Sequence, residues 1–232
     1  MLKAEIKTVL ESARTRGWVS EPDAKRLLSA AGLEVPRFVV VTDTDQIEPV
    51  VADLGFPLVA KVVSSRIVHK SDVDGVRTGI KSIRELTAVF ETFSQLDGFE
   101  AMLIEQMVSG LELIIGAKMD DQFGPVILLG MGGIGVEIYQ DVSLRMAPVG
   151  TEDVEAMIKG LKAAPLLSGY RGRPAVNRDE LTRTLVCFSE FVMAAADMIE
   201  SIDLNPVMCS GEKCIVADAR IMLPPVDDQT AD

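Results

Sequence analysis

The order of the hydrophobic segments is the feature that most restricts how this chain can fold. From residue 37 to residue 93, segments with the pattern of strands alternate with segments that have the spacing of amphipathic helices. After Gly98 the pattern changes to closely spaced strands, expected at about 101–108, 111–119, 125–129 and 134–139. We therefore predict an α/β or α+β protein with a boundary between two subdomains near Gly98.

Local capping signals predict where the helices begin. Ser20 and Ser82 are followed three residues later by an acidic residue, and Thr151 and Asn177 precede acidic first turns. Further helices are expected at residues 2–16 and about 45–54, although the second contains Pro49. Two more strands, at 198–205 and 214–220, precede a polar tail from Pro224 that we expect to be disordered.

Composition and charge exclude several classes of protein. The chain has 232 residues and 48% hydrophobic content, enough for a substantial core. Its net charge of -12 disfavours nucleic acid and anionic membranes as partners. We find neither a signal peptide nor a membrane-spanning run. The cysteines, Cys187, Cys209 and Cys214, form no metal-binding or disulfide pattern, so we expect reduced thiols in a cytoplasmic protein.

The segment "VAKVVSSRIVHKSDVDGV" holds the strongest candidate for chemistry. A buried strand at 58–63 is followed by a polar loop with the only histidine of the chain, His69. An imidazole is largely neutral and nucleophilic near neutral pH, and Asp72 could fix its tautomer. We expect a mobile loop, with Gly75 and Gly79 as hinges. A structural role for a single histidine is the alternative.

A second group of polar residues follows two strands near the C-terminal end. Strand alternation places Asp203 and Asn205 on one face, and likewise Asp218 and Arg220. If these strands form a hairpin through Ser210 and Gly211, their oxygen atoms converge as ligands suited to magnesium. A solvated sheet face is the alternative explanation.

The glycine-rich turn "GMGGIG" at 130–135 satisfies the spacing of a dinucleotide-binding motif. That motif requires a helix to begin at its third glycine, whereas the following residues alternate as a strand does. We therefore interpret this segment as a tight turn between strands.

The stretch "KVVSSRIVHKSDVDGV" resembles the signature of the nucleotide-binding β subunit, or β region, of NDP-forming acyl-CoA synthetases. This ATP-grasp family is related to succinyl-CoA synthetase. The similarity continues through "GLELIIGAKMDDQFGPVILLGMGGIGVE", "SLRMAPV", "GYRG" and "SIDLNPV…VADARI", across roughly residues 20 to 222. It implies an ATP-grasp fold, in which two subdomains grip a nucleotide. The implied organisation is an N-terminal helix (1–20), subdomain 1 with the phosphohistidine loop (21–98), subdomain 2 (99–223) and a flexible tail (224–232).

The resemblance also implies roles for individual residues. His69 would carry a phosphoryl group and Asp203 would receive the phosphohistidine loop. Asn205 and Asp218 match ligands of Mg²⁺. The positions that match the ATP or ADP site are Lys61 at the phosphates, Glu105, Gln106, Met107 and Val108 at the adenine, Glu112 at the ribose and phosphates, and Gly132 and Gly133 at the phosphates. The candidate anion contacts are Arg145, Arg171 and Arg173.

The activity implied is that of an ADP-forming acyl-CoA synthetase, whose β subunit acts with a separate CoA-binding α subunit in an α2β2 hetero-oligomer. Two residues depart from the family pattern, since Asp74 replaces a glycine in the loop and Ser201 replaces an acidic residue. Two alternatives stay open. One is another ATP-grasp carboxylate ligase, which would need no histidine carrier. The other is a non-catalytic nucleotide-binding regulatory subunit, favoured by the extra charge of Asp74.

Overall fold

The computed structural model describes residues 2–133, 141–172 and 174–225. The chain divides into two compact units, each with its own sheet. Unit 1 comprises Met1–Val35 and Ser109–Asp232, and unit 2 comprises Pro36–Val108. Within the described ranges, no helix is both long enough and apolar enough to cross a membrane.

The described residues form the following elements. The helices are α1 (Leu2–Ala13), α2 (Glu21–Ala30), α3 (Ile47–Leu54), α4 (Ile83–Phe93), α5 (Thr151–Gly160), α6 (Ala164–Leu167) and α7 (Arg178–Ala195). Short 3₁₀ turns occur at Thr44–Gln46, Lys70–Val73 and Ala196–Met198. The strands are β1 (Trp18–Val19), β2 (Phe38–Val41), β3 (Leu58–Ser64), β4 (Val76–Ile80), β5 (Phe99–Gln106), β6 (Leu111–Asp120), β7 (Gly124–Met131), β8 (Val142–Met146), β9 (Ser201–Cys209), β10 (Cys214–Val216) and β11 (Arg220–Met222).

Unit 2 is built on an antiparallel sheet of four strands in the order β2-β5-β3-β4. Strand β3 is buried along its whole length, as its apolar sequence predicts. Ala60 and Val62 pack in one hydrophobic cluster with residues of α3 and α4, whereas Val63 belongs to a separate cluster. Because strand side chains alternate, Lys61 lies on the face opposite these helices.

Unit 1 contains a sheet whose described strands have the order β1-β11-β9-β6-β7-β8, with β10 also paired to β9. Leu113 and Ile115 of β6 lie in the hydrophobic core, together with residues of α1, α2, α5 and α7. Alternation along the strand places Ile114 and Gly116 on the opposite side. We call this side, defined by Ile114 and Gly116, the second face of the sheet.

Three predicted helix starts are confirmed by their capping hydrogen bonds. The backbone N–H of the third helical residue donates to the side chain of Ser20 at 3.4 Å, Ser82 at 3.2 Å and Asn177 at 3.2 Å. The expected cap at Thr151 is wrong, because Gly150 is the capping residue and Thr151 is the first residue of α5. Pro49 is compatible with α3 because it lies in the first turn, where its missing N–H has no helical acceptor.

Three predicted boundaries are wrong. Subdomain 1 was expected to begin at residue 21, but residues 21–35 belong to unit 1 and unit 2 begins at Pro36. Strand β5 follows Gly98 but pairs with β2 and β3, so unit 2 ends at Val108. The expected strand at 214–220 is two strands, β10 and β11, interrupted around Asp218. The strand expected at 134–139 and the tail from residue 226 lie outside the described residues.

The cysteines behave as structural residues. All three are free thiols, and Cys209 and Cys214 are direct partners across β9 and β10 in the core. A hydrogen bond with the Cys214 thiol and burial raise the pKa of Cys209 well above its usual range. A protonated, buried thiol is a poor nucleophile and a poor metal ligand, so we assign this pair no chemistry.

Candidate nucleotide-binding site

The loop between β3 and β4 places His69 at the surface of unit 2, as the sequence predicts. At its start, the hydroxyl of Ser64 accepts a hydrogen bond from the backbone N–H of Arg66 at 3.0 Å. His69 is exposed and immediately precedes the turn Lys70–Val73. The backbone N–H of Asp72 donates to the carbonyl of His69 at 3.3 Å. The imidazole therefore stands at the head of a compact, hydrogen-bonded turn.

Gly75 fixes the end of this turn against β3. Its N–H donates to the carbonyl of Lys70 at 2.7 Å, and its carbonyl accepts from the N–H of Val62 at 2.9 Å. A Cβ atom at Gly75 would lie 2.5 Å from Cγ1 of Val62. This packing makes Gly75 an anchor of the loop and not the hinge we expected. Gly79 has φ of 72° and no atom within 4 Å of an added Cβ, so its position has the space that Gly75 lacks.

The backbone of Asp74 has a conformation that glycine also adopts readily. Asp74 has φ of 55°, in the left-handed region that glycine prefers and that Asp enters more easily than most residues. The guanidinium Nη1 of Arg77 donates to the carbonyl of Asp74 at 3.1 Å and lies 3.7 Å from its carboxylate Oδ1. The extra negative charge is therefore accommodated beside a cation.

We expect Gly75→Ala to destabilise the protein by about 1–3 kcal/mol, because the new methyl group must displace Val62 or the backbone. Asp74→Gly should change the free energy of unfolding by less than about 1 kcal/mol, since glycine adopts the left-handed conformation without strain. Urea unfolding of both variants measures this difference. Equal destabilisation by the two substitutions would contradict an anchoring role for Gly75.

Lys61 forms a buried ion pair within unit 2. Its Nζ lies 3.1 Å from Oε1 of Glu105, and the two side chains are only 7% and 3% exposed. Lys61 does not face solvent on an edge strand, because β3 lies between β5 and β4. A buried charge requires a partner, so Glu105 stabilises the charged form of Lys61 at a fixed position. The resemblance implied a place for Glu105 at the adenine, whereas its side chain pairs with Lys61.

The end of β5 carries the residues expected to receive adenine. The backbone N–H of Gln106 donates to the carbonyl of Arg37 at 3.0 Å, and that of Met107 donates to the carbonyl of Pro57 at 3.2 Å. The side chain of Met107 is 45% exposed. These two N–H groups hold the segment in unit 2, so adenine recognition here would rest on other backbone groups, including those of Val108.

Glu112 and the first glycines of the glycine-rich turn lie together in unit 1. The N–H of Gly132 donates to the carbonyl of Glu112 at 2.8 Å. Gly133 has φ of 69°, and a Cβ there would lie 2.5 Å from Oε2 of Glu112. The left-handed backbone of Gly133 therefore favours glycine, whereas an added Cβ would meet only the flexible end of the Glu112 side chain. The rest of the turn, from residue 134, lies outside the described residues.

The second polar group is also assembled in unit 1. Asp203 and Asn205 alternate along β9 with buried core residues, so they share the second face of the sheet. The carbonyl of Pro206 accepts hydrogen bonds from Ala217 N–H at 3.0 Å and Asp218 N–H at 3.4 Å. The backbone of Asp218 is thereby held at Pro206, the residue that follows Asn205, and the predicted hairpin between β9 and β10 is confirmed.

The oxygen atoms of Asn205 and Asp218 fit a magnesium ion bound together with a nucleotide. Carboxylate and amide oxygens are hard ligands, and Mg²⁺ usually takes one or two from the protein and the rest from phosphates and water. Among the described residues, no group of three or more His, Cys, Asp or Glu could hold a metal ion. Two protein ligands suit an ion that arrives with the phosphates.

A groove of about 590 Å³ opens on unit 1 beside Asp203. Its lining includes Gly116 and Asp203, together with Leu144 and Met146, which are 52% and 61% exposed. An incoming group can therefore reach the carboxylate of Asp203 across a largely apolar surface.

Asp203 has a partner, Arg220, that was not predicted from the sequence. Nη2 of Arg220 lies 3.0 Å from Oδ2 of Asp203, and the two residues are opposite each other on β11 and β9. Alternation had associated Arg220 only with Asp218. The sequence did contain a signal for this ion pair, because the acidic Asp203 and the basic Arg220 lie on segments that were expected to pair as strands.

The predicted anion contacts are dispersed. Nη1 of Arg145 donates to the carbonyl of Leu144 at 2.8 Å on an exposed part of β8. The guanidinium of Arg171 lies 5.4 Å from the ring centre of Tyr170. Arg173 is outside the described residues. Arg145 also lines the groove beside Asp203. No described contact assigns Arg171 to the site, and the role of these arginines as anion contacts stays a prediction.

Sequence comparisons show one consistent relationship. Residues 10–223 match the family model described as the ATP-grasp domain. The chain is 35% identical over 229 residues to the acetate–CoA ligase (ADP-forming) I subunit beta of Pyrococcus furiosus, covering 95% of this chain and 98% of that protein. It is 36% identical over 230 residues to the acetate–CoA ligase (ADP-forming) I of Archaeoglobus fulgidus, covering 95% of this chain but 33% of that protein. The chain thus spans almost all of one relative and a third of the other.

A solved structure shows the same fold. It is the dinucleotide forming acetyl-coenzyme A synthetase 1 of Ca. Korarchaeum cryptofilum in complex with coenzyme A and Mg-AMPPCP, with its phosphohistidine segment pointing towards the nucleotide binding site. The TM-score is 0.82 with 34% sequence identity, and the match covers 94% of this chain and 100% of that chain.

Proposed function

The chain belongs to the ATP-grasp family, and within it to the β subunits of ADP-forming acetate–CoA ligases, and from this premise we propose that it is the nucleotide-binding β subunit of an ADP-forming acyl-CoA synthetase. The reaction would convert acyl-CoA, ADP and phosphate to free acid, ATP and CoA. The observation that carries this proposal is the match along 98% of a relative that is itself a subunit beta. The free thiols agree with a cytoplasmic location.

In this function His69 passes a phosphoryl group from an acyl phosphate to ADP. An imidazole nitrogen attacks the phosphorus, and the bond from phosphorus to the carboxylate oxygen breaks as the P–N bond forms, which releases the free acid. A terminal oxygen of ADP then attacks the same phosphorus, and the P–N bond breaks as ATP forms. The exposed position of His69 at the head of a turn supports both steps.

The other residues hold and neutralise the reacting groups. Lys61 would offset the negative charge of the nucleotide phosphates, and Asp203 would accept a hydrogen bond from the N–H of the phosphorylated ring. Asn205 and Asp218 would hold Mg²⁺, which supplies further charge neutralisation and orients the phosphates. Glu112, Gly132 and Gly133 would line the ribose and phosphates.

We propose a CoA-binding α subunit as the partner, in an α2β2 hetero-oligomer whose interface includes residues 66–76 of this chain. The single-chain relative supports a division of labour, because two thirds of its length lie outside the matched region. We expect acyl-CoA synthesis from acid, ATP and CoA only when the partner is added to the purified chain. Robust acyl-CoA formation by this chain alone, verified as pure by mass spectrometry, would refute the proposal.

The structure weakens the case for a non-catalytic subunit. Asp74 was the residue that favoured this alternative, because it adds charge to the loop. Its left-handed backbone and the nearby Arg77 show that the loop accommodates the substitution. The phosphohistidine segment of the matched acetyl-coenzyme A synthetase supports a histidine carrier over a carboxylate ligase that works without one.

We expect Asp218→Ala to weaken binding of Mg-ADP about a hundredfold or more, because it removes an anionic ligand of a hard cation. Folding should survive, since Asp218 lies between two strands and is only half-buried. Calorimetric titration with ADP, with and without Mg²⁺, measures the effect. Asp121→Ala, at an exposed position between β6 and β7, is the control. Equal Mg-ADP affinity in the two variants would end the assignment.

A further inference from the structure

Asp203 has different neighbours on its two sides. Strand β9 lies between β11 and β6, and Asp203 is the direct partner of Arg220 on β11 and of Gly116 on β6. Arg220 holds Oδ2 of the carboxylate through Nη2 at 3.0 Å. Gly116 presents no side chain, so the carboxylate has space on that side.

The groove of about 590 Å³ matches this asymmetry. Gly116 and Asp203 both line it, whereas Arg220 is not among its described lining residues. The carboxylate is therefore reached from the side of Gly116 and supported from the side of Arg220. A Cβ added to Gly116 would lie 3.3 Å from the carbonyl oxygen of Ile202, so a small side chain there needs only a slight adjustment.

We propose that Arg220 and Gly116 turn Asp203 into a prepared docking point for the phosphorylated ring of His69, with Arg220 as a positioning residue and Gly116 as the opening. This inference rests on the proposed function, because it concerns the step in which the ring delivers its phosphoryl group. No direct contact of Arg220 with the nucleotide or the ring is required.

Two physical effects support the role of Arg220. A guanidinium bound to Oδ2 restricts the rotation of the carboxylate and leaves Oδ1 to accept the ring N–H in a fixed direction. Its positive charge also offsets the repulsion between Asp203 and an incoming phosphoryl group. The side chains are 31% and 35% exposed, and ion pairs at such positions contribute little to folding. Variants of Arg220 should therefore fold.

The test measures how fast radiolabelled Mg-ATP phosphorylates this chain when it is assembled with its CoA-binding partner. We expect Arg220→Met to slow labelling about 30-fold. Arg220→Lys should recover most of the rate because lysine retains the positive charge, but not all of it because lysine lacks the planar guanidinium group. Asp203→Asn should slow labelling similarly, and the double variant should be no slower than Asp203→Asn. Gly116→Val should slow it about tenfold by filling the opening.

Two further measurements separate positioning from a structural effect. The affinity for Mg-ADP should stay within about threefold of wild type in Arg220→Met, because no nucleotide contact is removed. Arg183→Met is the control, since Arg183 forms a similar half-buried ion pair with Glu180 at 2.8 Å. It should label at the wild-type rate.

Labelling of Arg220→Met at the wild-type rate would overturn the inference, as would additive losses in the double variant or a parallel loss of Mg-ADP affinity. Failure of the proposed function has a different signature. In that case the wild-type chain would bind Mg-ADP and yet never be labelled, and the role of Arg220 would fall with it.

Discussion

Replacing His69 by Ala should abolish acyl-CoA synthesis by the assembled enzyme, with a loss of at least about a thousandfold in turnover. The reason is that the phosphoryl group then has no carrier between the acyl phosphate and ADP. The affinity for Mg-ADP should be unchanged, because His69 does not hold the nucleotide. Steady-state assays with the α subunit, together with calorimetry on the purified chain, measure both quantities.

Stability separates this loss from a folding defect. His69 is exposed, so His69→Ala should change the free energy of unfolding by less than about 0.5 kcal/mol. Ser71→Ala, in the same exposed turn, is the control and should retain near wild-type turnover. Near wild-type turnover in His69→Ala would mean that the histidine is structural and that transfer is direct.

The second large effect concerns the buried ion pair of unit 2. Glu105→Ala should destabilise the protein by about 3–5 kcal/mol, because it leaves the charge of Lys61 buried without this carboxylate. The double replacement Lys61→Met and Glu105→Leu should restore most of the stability, since two apolar side chains can fill the same space. It should still fail to bind Mg-ADP tightly, because the cation is gone. Urea unfolding and calorimetry test the two parts.

A surface ion pair of the same length provides the comparison. Nζ of Lys159 lies 3.1 Å from Oε2 of Glu155, but these side chains are 71% and 60% exposed. Glu155→Ala should therefore change stability by less than about 1 kcal/mol. Similar losses in the free energy of unfolding for Glu105→Ala and Glu155→Ala would show that burial does not determine how much the pair of Lys61 and Glu105 stabilises the protein.

Local sequence signals predicted much of the fold because they report on nearby atoms. The caps at Ser20, Ser82 and Asn177 depend on residues within one turn, and these helices begin where expected. The boundary between the units was misplaced because strand pairing is not local. Strand β5 follows Gly98 but completes the sheet of unit 2, and no signal within its own sequence identifies its partners.

The site could be predicted in part for the same reason. Alternation along β9 correctly placed Asp203 and Asn205 together, since a strand has a period of two residues. The partnership of Asp203 with Arg220 depends on how β11 pairs after the break at Asp218, which alternation alone does not determine. Likewise, the anchoring of Gly75 depends on its distance from Val62 on another strand.

The most direct test of the account is the location of phosphate after the assembled enzyme is incubated with Mg-ATP. A phosphate that is labile in acid and stable in base is bound to nitrogen, and because the chain has one histidine, its absence in His69→Ala assigns it to His69. We predict such a phosphate in the wild type, its loss when ADP is added, and its absence in His69→Ala. A wild-type chain that binds Mg-ATP and supports acyl-CoA synthesis with no phosphate on His69 would contradict the account.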